Sequence, residues 1–182
     1  MINSKTDLKK YLEQDKQALN IRGGLKDLIF NDIWLFQRIL RKTEYYLNCK
    51  HRIRFFLFKI RLNAIATKLG FSIPLNVCGP GLSIAHRGTI VINGKAKIGA
   101  NCRIHICVNI GASATDSNAA PQLGDNCYIG PGAKLFGGIK IGDNTAIGAN
   151  AVVNKNFPMG NCVIAGVPAK IISNNTLNRN AN

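Results

Sequence analysis

The chain has 182 residues and a formal net charge of +15, with 24 Lys and Arg against 9 Asp and Glu. This length suits one domain with an appended segment, and an apolar content of 46% is enough for a hydrophobic core. No stretch approaches the roughly 20 apolar residues of a membrane-spanning helix, and the polar N-terminus is unlike a secretion signal, so we expect a cytoplasmic protein.

Residues 1–71 are predicted to form an α-helical region. A first short helix is expected to be capped by Asp7 and to end near Gly23-Gly24. Apolar residues at roughly helical spacing predict a second helix over residues 32–47. A third is predicted over residues 52–69, where Gly70 and Pro74 end it.

The third predicted helix is strongly basic. The stretch from Lys50 to Lys68 contains six Lys and Arg and no acid, together with the aromatic run Phe55 to Phe58. Packing on another subunit is the simpler interpretation of this arm, and contact with an anionic membrane is the alternative. Charge is the one indication of nucleic-acid binding, and residues 72–172 lack aromatic platforms, so we expect none.

An aliphatic residue recurs every six positions in the second half of the chain. The series is Ile92, Ile98, Ile104, Ile110, Leu123, Ile129, Leu135, Ile141, Ile147 and Val153. Four residues after most of its members comes a smaller side chain: Cys102, Val108, Cys127, Ala133, Ile139, Thr145 and Ala151. A period of six is typical of a parallel β-helix, in which stacked coils bury one continuous column. We therefore predict a mainly β fold over residues 72–172, followed by a disordered polar tail at residues 173–182.

Glycine usually follows the aliphatic residue, and we expect it there because a tight corner with positive φ would strain a side chain. His105, Phe136 and Asn154 stand in place of that glycine. The period is broken once, since Ile110 and Leu123 are thirteen residues apart. The small and polar residues between them predict a loop that leaves the wall of the β-helix, a favoured place for binding.

The six cysteines include no Cys-x-x-Cys pair, and two of them fall in the small interior column. Buried thiols that act as small hydrophobic groups are the simplest interpretation. A catalytic zinc site would need about three converging histidines, and the β-helix region contains two, so no metal is expected.

Local motifs in this region are similar to those of the serine acetyltransferase branch of the hexapeptide acyltransferases. The matching segments run from Gly79 to Ile92, which includes His86, and from Ala165 to Ile171, with Ile-Gly-Asp-Asn and Ile-Gly-Ala-Asn-Ala-Val-Val hexads between them. The resemblance implies a left-handed β-helix, acetyl-CoA as co-substrate, and a homotrimer with sites between subunits.

The resemblance also places His86 at the position of the family's catalytic histidine. A neutral imidazole could take the proton of an acceptor hydroxyl as its oxygen attacks the thioester, and could then pass that proton to the departing thiolate. His105 is expected to project outward at about the same level, and Asp116 lies in the predicted loop. Both are candidates for contact with the acceptor.

Three departures leave the acceptor open. Phe71 stands where the family has the aspartate that orients the histidine, and Ala85 replaces the aspartate before it. Ala119-Ala120 replace the Arg-His pair that holds the amino-acid acceptor. A buried zwitterion needs charged partners, so L-serine, the family default, and a sugar hydroxyl of a surface polysaccharide are both considered. The polysaccharide alternative would place the basic arm at the inner face of the membrane.

Cofactor contacts are predicted from composition and from the resemblance. Small residues at Ala133, Ala146 and Ala149 would let the arm of acetyl-CoA approach the backbone. Lys155 and Lys170 match positions that meet the phosphates in related acetyltransferases.

Overall fold

The computed structural model describes residues 1–22, 24 and 31–174. Three helices come first: α1 (Lys5–Ala18), α2 (Asp32–Asn48) and α3 (Arg52–Leu69). The bounds of α2 and α3 confirm the second and third predicted helices. No helix in these described ranges is both long enough and apolar enough to cross a bilayer. The first helix ends earlier than predicted, at Ala18 with Leu19 as its C-cap, and not near Gly23-Gly24. Most of the predicted tail lies outside the described residues.

The beginning of α1 differs from the prediction. Ser4, not Asp7, is the N-cap, and its hydroxyl accepts a hydrogen bond from the Asp7 backbone N–H at 3.0 Å. Asp7 lies in the first turn and accepts a hydrogen bond from the Asn3 backbone N–H. Ser4 thus caps the helix through its hydroxyl oxygen, while Asp7 reaches back to the N–H of the residue that precedes the cap.

A buried ionic network joins the helices to the first coil of the β-helix. Arg41 of α2 bonds the Asp15 carboxylate of α1 at 2.8 Å and Glu44 at 3.1 Å. It also donates to the carbonyl oxygens of Cys78 and Gly79 at 2.8 and 2.6 Å. All three charged side chains are almost fully buried, so each depends on the others for its solvation.

Residues 71–173 form a parallel β-helix whose coils each contribute short strands to three sheets. The strands are β1 (Phe71–Ser72), β2 (Ser83–Ile84), β3 (Ile90–Ile92), β4 (Lys97–Ile98), β5 (Arg103–Ile104), β6 (Val108–Gly111), β7 (Gln122–Leu123), β8 (Tyr128–Ile129), β9 (Lys134–Phe136), β10 (Lys140–Ile141), β11 (Ala146–Ile147), β12 (Val152–Val153), β13 (Val163–Gly166) and β14 (Ala169–Ser173). One sheet has the order β1-β3-β6-β9-β12, the second β10-β7-β4, and the third β14-β13-β11-β8-β5-β2. We call these three sheets the first, second and third faces. The last strand, β14, is antiparallel to β13.

The interior is filled as the period of six predicts. Every aliphatic residue of the series and every residue of the smaller column is buried. In successive coils they stack through parallel pairing, for example Ile104 over Ile129 and Ile129 over Ile147. The hydrophobic column is therefore continuous from one end of the stack to the other.

The predicted reason for the glycines at the corners is wrong. The glycines that follow the aliphatic residues do not have positive φ; that conformation is adopted by asparagines such as Asn126 and Asn144, at 58° and 55°. At most of these corners glycine is required because successive coils approach closely. A Cβ at Gly130 would lie 2.7 Å from the carbonyl oxygen of Ile147 in the next coil, too close for any side chain.

The asparagine corners form a ladder along one edge. Asn101 donates to Asn126 at 3.2 Å, Asn126 to Asn144 at 3.0 Å, and Asn144 to Asn161 at 2.9 Å. Asparagine tolerates the left-handed conformation and offers both a donor and an acceptor, so one residue type both makes the turn and links the coils.

The interruption in the period is a loop, as predicted. Residues 112–121 connect β6 of the first face to β7 of the second. Asp116 is exposed and accepts hydrogen bonds from backbone N–H groups within the loop, from Asn118 to its carboxylate and from Ala119 to its carbonyl oxygen. Ala120 and Pro121 are buried where the loop rejoins the wall.

Candidate functional site

Two edges of the β-helix carry the predicted catalytic and acceptor residues. His86 follows β2 of the third face and precedes β3 of the first, so it lies on the edge between these faces. Asp116 lies on the edge between the first and second faces. Within one chain the two residues belong to different edges, and a single chain does not assemble them.

His86 is exposed and stands next to His105. Their ring centroids are 6.2 Å apart, and His105 in turn lies 4.9 Å from the ring of Tyr128. Backbone pairing explains the spacing, since the Ala85 N–H donates to Ile104 and the His105 N–H donates to Ile129. His105 therefore projects at the level of His86, as the sequence predicts.

Tyr128 is the residue in this cluster that the sequence analysis missed. It occupies the outward position of β8, stacked in register over Arg103 of β5. Arg103 donates to the Ser83 hydroxyl at 3.0 Å on the same face. Outward residues of consecutive coils align in columns, so placing Tyr128 beside His105 required the register across the thirteen-residue break.

The corner that carries His86 is fixed by its neighbours. Gly88 donates to the carbonyl oxygen of Leu69 at the end of α3. Arg87 lies 3.3 Å from a carboxylate oxygen of Asp32, and Lys68 lies 3.0 Å from the same oxygen. The hydrogen bond from Lys68 holds the pKa of Asp32 below its ordinary value, so this carboxylate keeps its charge to a lower pH than an unpaired aspartate does. The first turn of α2 and the last turn of α3 thus hold the corner from both sides.

The positions where the resemblance leads one to expect charged partners are filled by apolar packing. Phe71 is buried and its ring contacts that of Phe36 edge to face, with centroids 5.0 Å apart. Ala120 is buried and Ala119 is half-buried where the loop meets Gly138. These side chains cannot provide charge to a bound acceptor.

The cofactor candidates are divided among different surfaces. Ala149 is exposed on the edge of His86, Lys155 is exposed on the edge of the 112–121 loop, and Lys170 is exposed in β14. The prediction that Ala133 lies beneath the cofactor is wrong. Its side chain is fully buried in the coil interior, its backbone N–H donates to Gly130, and its carbonyl oxygen accepts from Asn109.

Ala146 is less accessible than the sequence suggests. It is 5% exposed, and its N–H donates to the carbonyl oxygen of Cys162 in the next coil. Its small side chain can still lie beneath a ligand that follows the third face, although its amide is not available for pairing.

The β-helix and its six-residue repeats define the class of the protein. Residues 120–155 match the family model described as bacterial transferase hexapeptide (six repeats). The fold is also that of solved serine acetyltransferases. The soybean enzyme complexed with serine has a TM-score of 0.76 at 25% identity, covering 92% of this chain and 70% of that one. The Brucella abortus enzyme in complex with coenzyme A has a TM-score of 0.73 at 23% identity, covering 94% and 70%.

Curated relatives identify the family within this class. The serine acetyltransferase of Helicobacter pylori is 35% identical over 126 residues, which is 68% of this chain and 73% of the relative. That of Synechococcus elongatus is 34% identical over 132 residues, 67% of this chain and 54% of the relative. The chain belongs to the serine acetyltransferase family of hexapeptide transferases, and its β-helix is left-handed. It spans about half the length of the first curated relatives it matches.

Proposed function

We propose that the protein transfers the acetyl group of acetyl-CoA to the hydroxyl of L-serine, giving O-acetylserine and free CoA. The observation that carries the proposal is the exposed His86 on a β-helix edge of a chain that belongs to the serine acetyltransferases. The reported relatives are all named for serine, and none of them supports a sugar hydroxyl as acceptor.

His86 is the general base of this mechanism. Its neutral imidazole accepts the proton of the serine hydroxyl while the oxygen attacks the thioester carbonyl. When the tetrahedral intermediate collapses, the C–S bond breaks and the thiolate of CoA receives that proton from the imidazolium. Such assistance typically accelerates a reaction ~10²–10⁴-fold. Direct transfer needs no acyl-enzyme.

The acceptor binds beside His86, with His105 and Asp116 as its candidate partners. The distance of 6.2 Å between the rings of His86 and His105 lets one small molecule contact both. Asp116 is exposed on the other edge, where it suits the ammonium group of serine. These two residues would replace the charged pair that the family has at the positions of Ala119 and Ala120.

Acetyl-CoA lies in the groove between two chains of a homotrimer. The proposal is supported by the division of the candidates between edges, since Ala149 shares an edge with His86 while Lys155 shares the edge of the loop. Packing the edge that carries His86 in one chain against the edge that carries the 112–121 loop in its neighbour brings these residues together around a threefold axis. Ala146 lies at the bottom of this groove, and Lys155 and Lys170 contact the phosphates of acetyl-CoA.

The protein is proposed to work in the cytoplasm. All six cysteines are in the described part of the chain, and none of them forms a disulfide. Reduced thiols suit the cytoplasmic redox state.

The role of His86 is tested by His86→Ala in an assay of CoA thiol release from acetyl-CoA and serine. We expect kcat to fall ~10²–10⁴-fold while CoA still binds, because the base is lost and the groove is intact. His51→Ala is the matched control, since His51 lies at the start of α3, away from the β-helix edges. A His86→Ala enzyme that keeps most of its activity contradicts the mechanism.

The acceptor is tested with the same assay. Turnover with serine at millimolar concentration, and a higher KM for serine in His105→Ala and Asp116→Ala, support the proposal. Thiol release with sugar acceptors and none with serine overturns it.

A further inference from the structure

Helix α3 has two apolar faces on opposite sides. One contains Leu62, Ile65 and Leu69, which are buried against the rest of the protein. The other consists of Ile53, Phe56, Leu57, Ile60 and Ala64, all exposed. We call this second set the outer stripe. Its members are spaced i, i+3, i+4, i+7 and i+11, so they lie on one side of the helix over about 16 Å of its length.

The outer stripe is an unusual concentration of exposed apolar surface. Ile53 is 79% exposed, Phe56 65%, Leu57 55% and Ile60 52%. Single apolar residues on a surface need no explanation, but a contiguous row of large ones marks a contact surface. Because the opposite face supplies all the packing that α3 needs, the outer stripe is not required by the fold.

Cations line both sides of the outer stripe. At about 100° per residue, Arg54 and Arg61 fall on one flank and Arg52 and Lys59 on the other. The guanidinium groups of Arg54 and Arg61 lie against aromatic rings, 5.9 Å from Tyr46 and 5.7 Å from Phe58. Long basic side chains beside an apolar stripe can reach phosphate groups while the apolar side chains enter the acyl boundary.

The charges on and around α3 indicate what binds the outer stripe. Helix α3 contains no Asp or Glu. Among the described residues near it, Asp32 is bonded to Lys68 and Arg87, and Glu44 is buried with Arg41. If two copies met through this stripe, the Arg and Lys of one copy would face those of the other, and their like charges would repel. An anionic lipid surface complements both the stripe and its flanks.

We propose that the outer stripe of α3 is a membrane-docking surface, with Ile53, Phe56, Leu57 and Ile60 inserted among the lipids and the flanking Arg and Lys at anionic head groups. The inference is independent of acetyl transfer, because none of these residues lies on the edges of the candidate site.

Sedimentation with vesicles tests the proposal. The full chain is mixed with vesicles of equal parts phosphatidylcholine and phosphatidylglycerol, and in parallel with phosphatidylcholine alone. We expect binding to the anionic vesicles, weakened by salt. Phe56→Ser/Ile60→Ser should lower the partition coefficient about tenfold or more, since both side chains lose their insertion into the bilayer. Arg54→Gln and Arg61→Gln should each lower it about fivefold.

Matched controls distinguish binding through this surface from nonspecific binding of the protein to vesicles. Ile171→Ser removes a side chain of similar exposure, at 53%, from the last strand, and Lys140→Gln removes an exposed cation from the β-helix. Both should bind like the wild type, and all variants should keep thiol release and the wild-type thermal unfolding curve. Failure of the wild type to bind vesicles overturns the proposal, as does equal binding by the stripe variants. If the wild type does not bind lipid and the stripe variants have a smaller mass than the wild type in light scattering without vesicles, the outer stripe is instead a contact with a second copy of the chain.

Discussion

At the scale of single residues, burial and neighbouring charges shift the pKa values of Cys78 and Arg41. Cys78 lies in the first coil, where its carbonyl oxygen accepts a hydrogen bond from Arg41. Burial raises the pKa of its thiol to about 12, although the nearby Arg41 acts in the opposite direction. Burial also opposes the charge on Arg41, but Asp15 and Glu44 outweigh it and raise the pKa of the guanidinium.

The Cys78 thiol predicts a loss of stability at alkaline pH. In the unfolded chain it ionises near its ordinary pKa of 9.0, whereas in the folded chain it stays protonated to about pH 12. Between these values the unfolded state binds fewer protons, so the free energy of unfolding falls as pH rises. Urea unfolding at about pH 8 and about pH 10.5 should show a loss larger by about 2 kcal/mol in the wild type than in Cys78→Ala.

The exposed Cys107 provides the matched substitution of a thiol by alanine. Cys107→Ala should keep the wild-type dependence on pH, because it leaves the buried Cys78 thiol in place. Identical pH dependence of the wild type and Cys78→Ala would contradict the assignment.

Residue roles were predictable from sequence where a repeat determines them. The six-residue period identifies the buried columns, and the motif around His86 identifies the exposed histidine beside His105. The period does not show that Gly130 is needed for clearance from Ile147, because that contact comes from the next coil. It also gives no sign of the partnership of His105 and Tyr128, which depends on the register across the inserted loop.

At the scale of elements, the network around Arg41 holds the helices against the β-helix. Asp15 connects α1 to it and accepts a hydrogen bond from the Leu82 backbone N–H at 2.9 Å. Glu44 accepts one from the Asn76 N–H at 2.8 Å. These contacts join residues far apart in sequence, so no local pattern predicts them. By contrast, helical spacing and the helix-ending Gly70 and Pro74 are local signals, and they predicted α2 and α3.

Arg41→Leu should be severely destabilising. It leaves two buried carboxylates without their cation, which typically costs about 3–5 kcal/mol. Lys42→Leu is the matched control, since Lys42 is half-buried and its ammonium lies over the ring of Phe58, a contact worth about 1 kcal/mol or less. Chemical denaturation measures both. A loss below 1 kcal/mol for Arg41→Leu would show that water reaches the network.

At the scale of the whole molecule, His86 and the 112–121 loop lie on separate edges and can meet only between chains. If each active site combines these two edges, defects in them should complement one another. One variant carries His86→Ala, and a second has residues 113–118 replaced by two glycines. Each alone should be inactive, because every site lacks one part.

Refolding the two variants together restores one complete site in every mixed trimer. With random mixing, about a quarter of the wild-type activity per chain should return, since about three quarters of the trimers are mixed. Thiol release measures the activity, and light scattering confirms the trimers. A mixture of true trimers that stays as inactive as its parents would show that each site is contained in one chain.

The final strand has a consequence for growth of the solenoid. A stack of parallel coils ends in unsatisfied amide and carbonyl groups, to which another molecule could add its own strand, as in a fibril. On the third face, β14 runs against β13 and satisfies that rim with a strand of opposite direction. An incoming coil of the same polarity finds no matching template there, so on this face the chain limits its own length and resists end-to-end polymerisation.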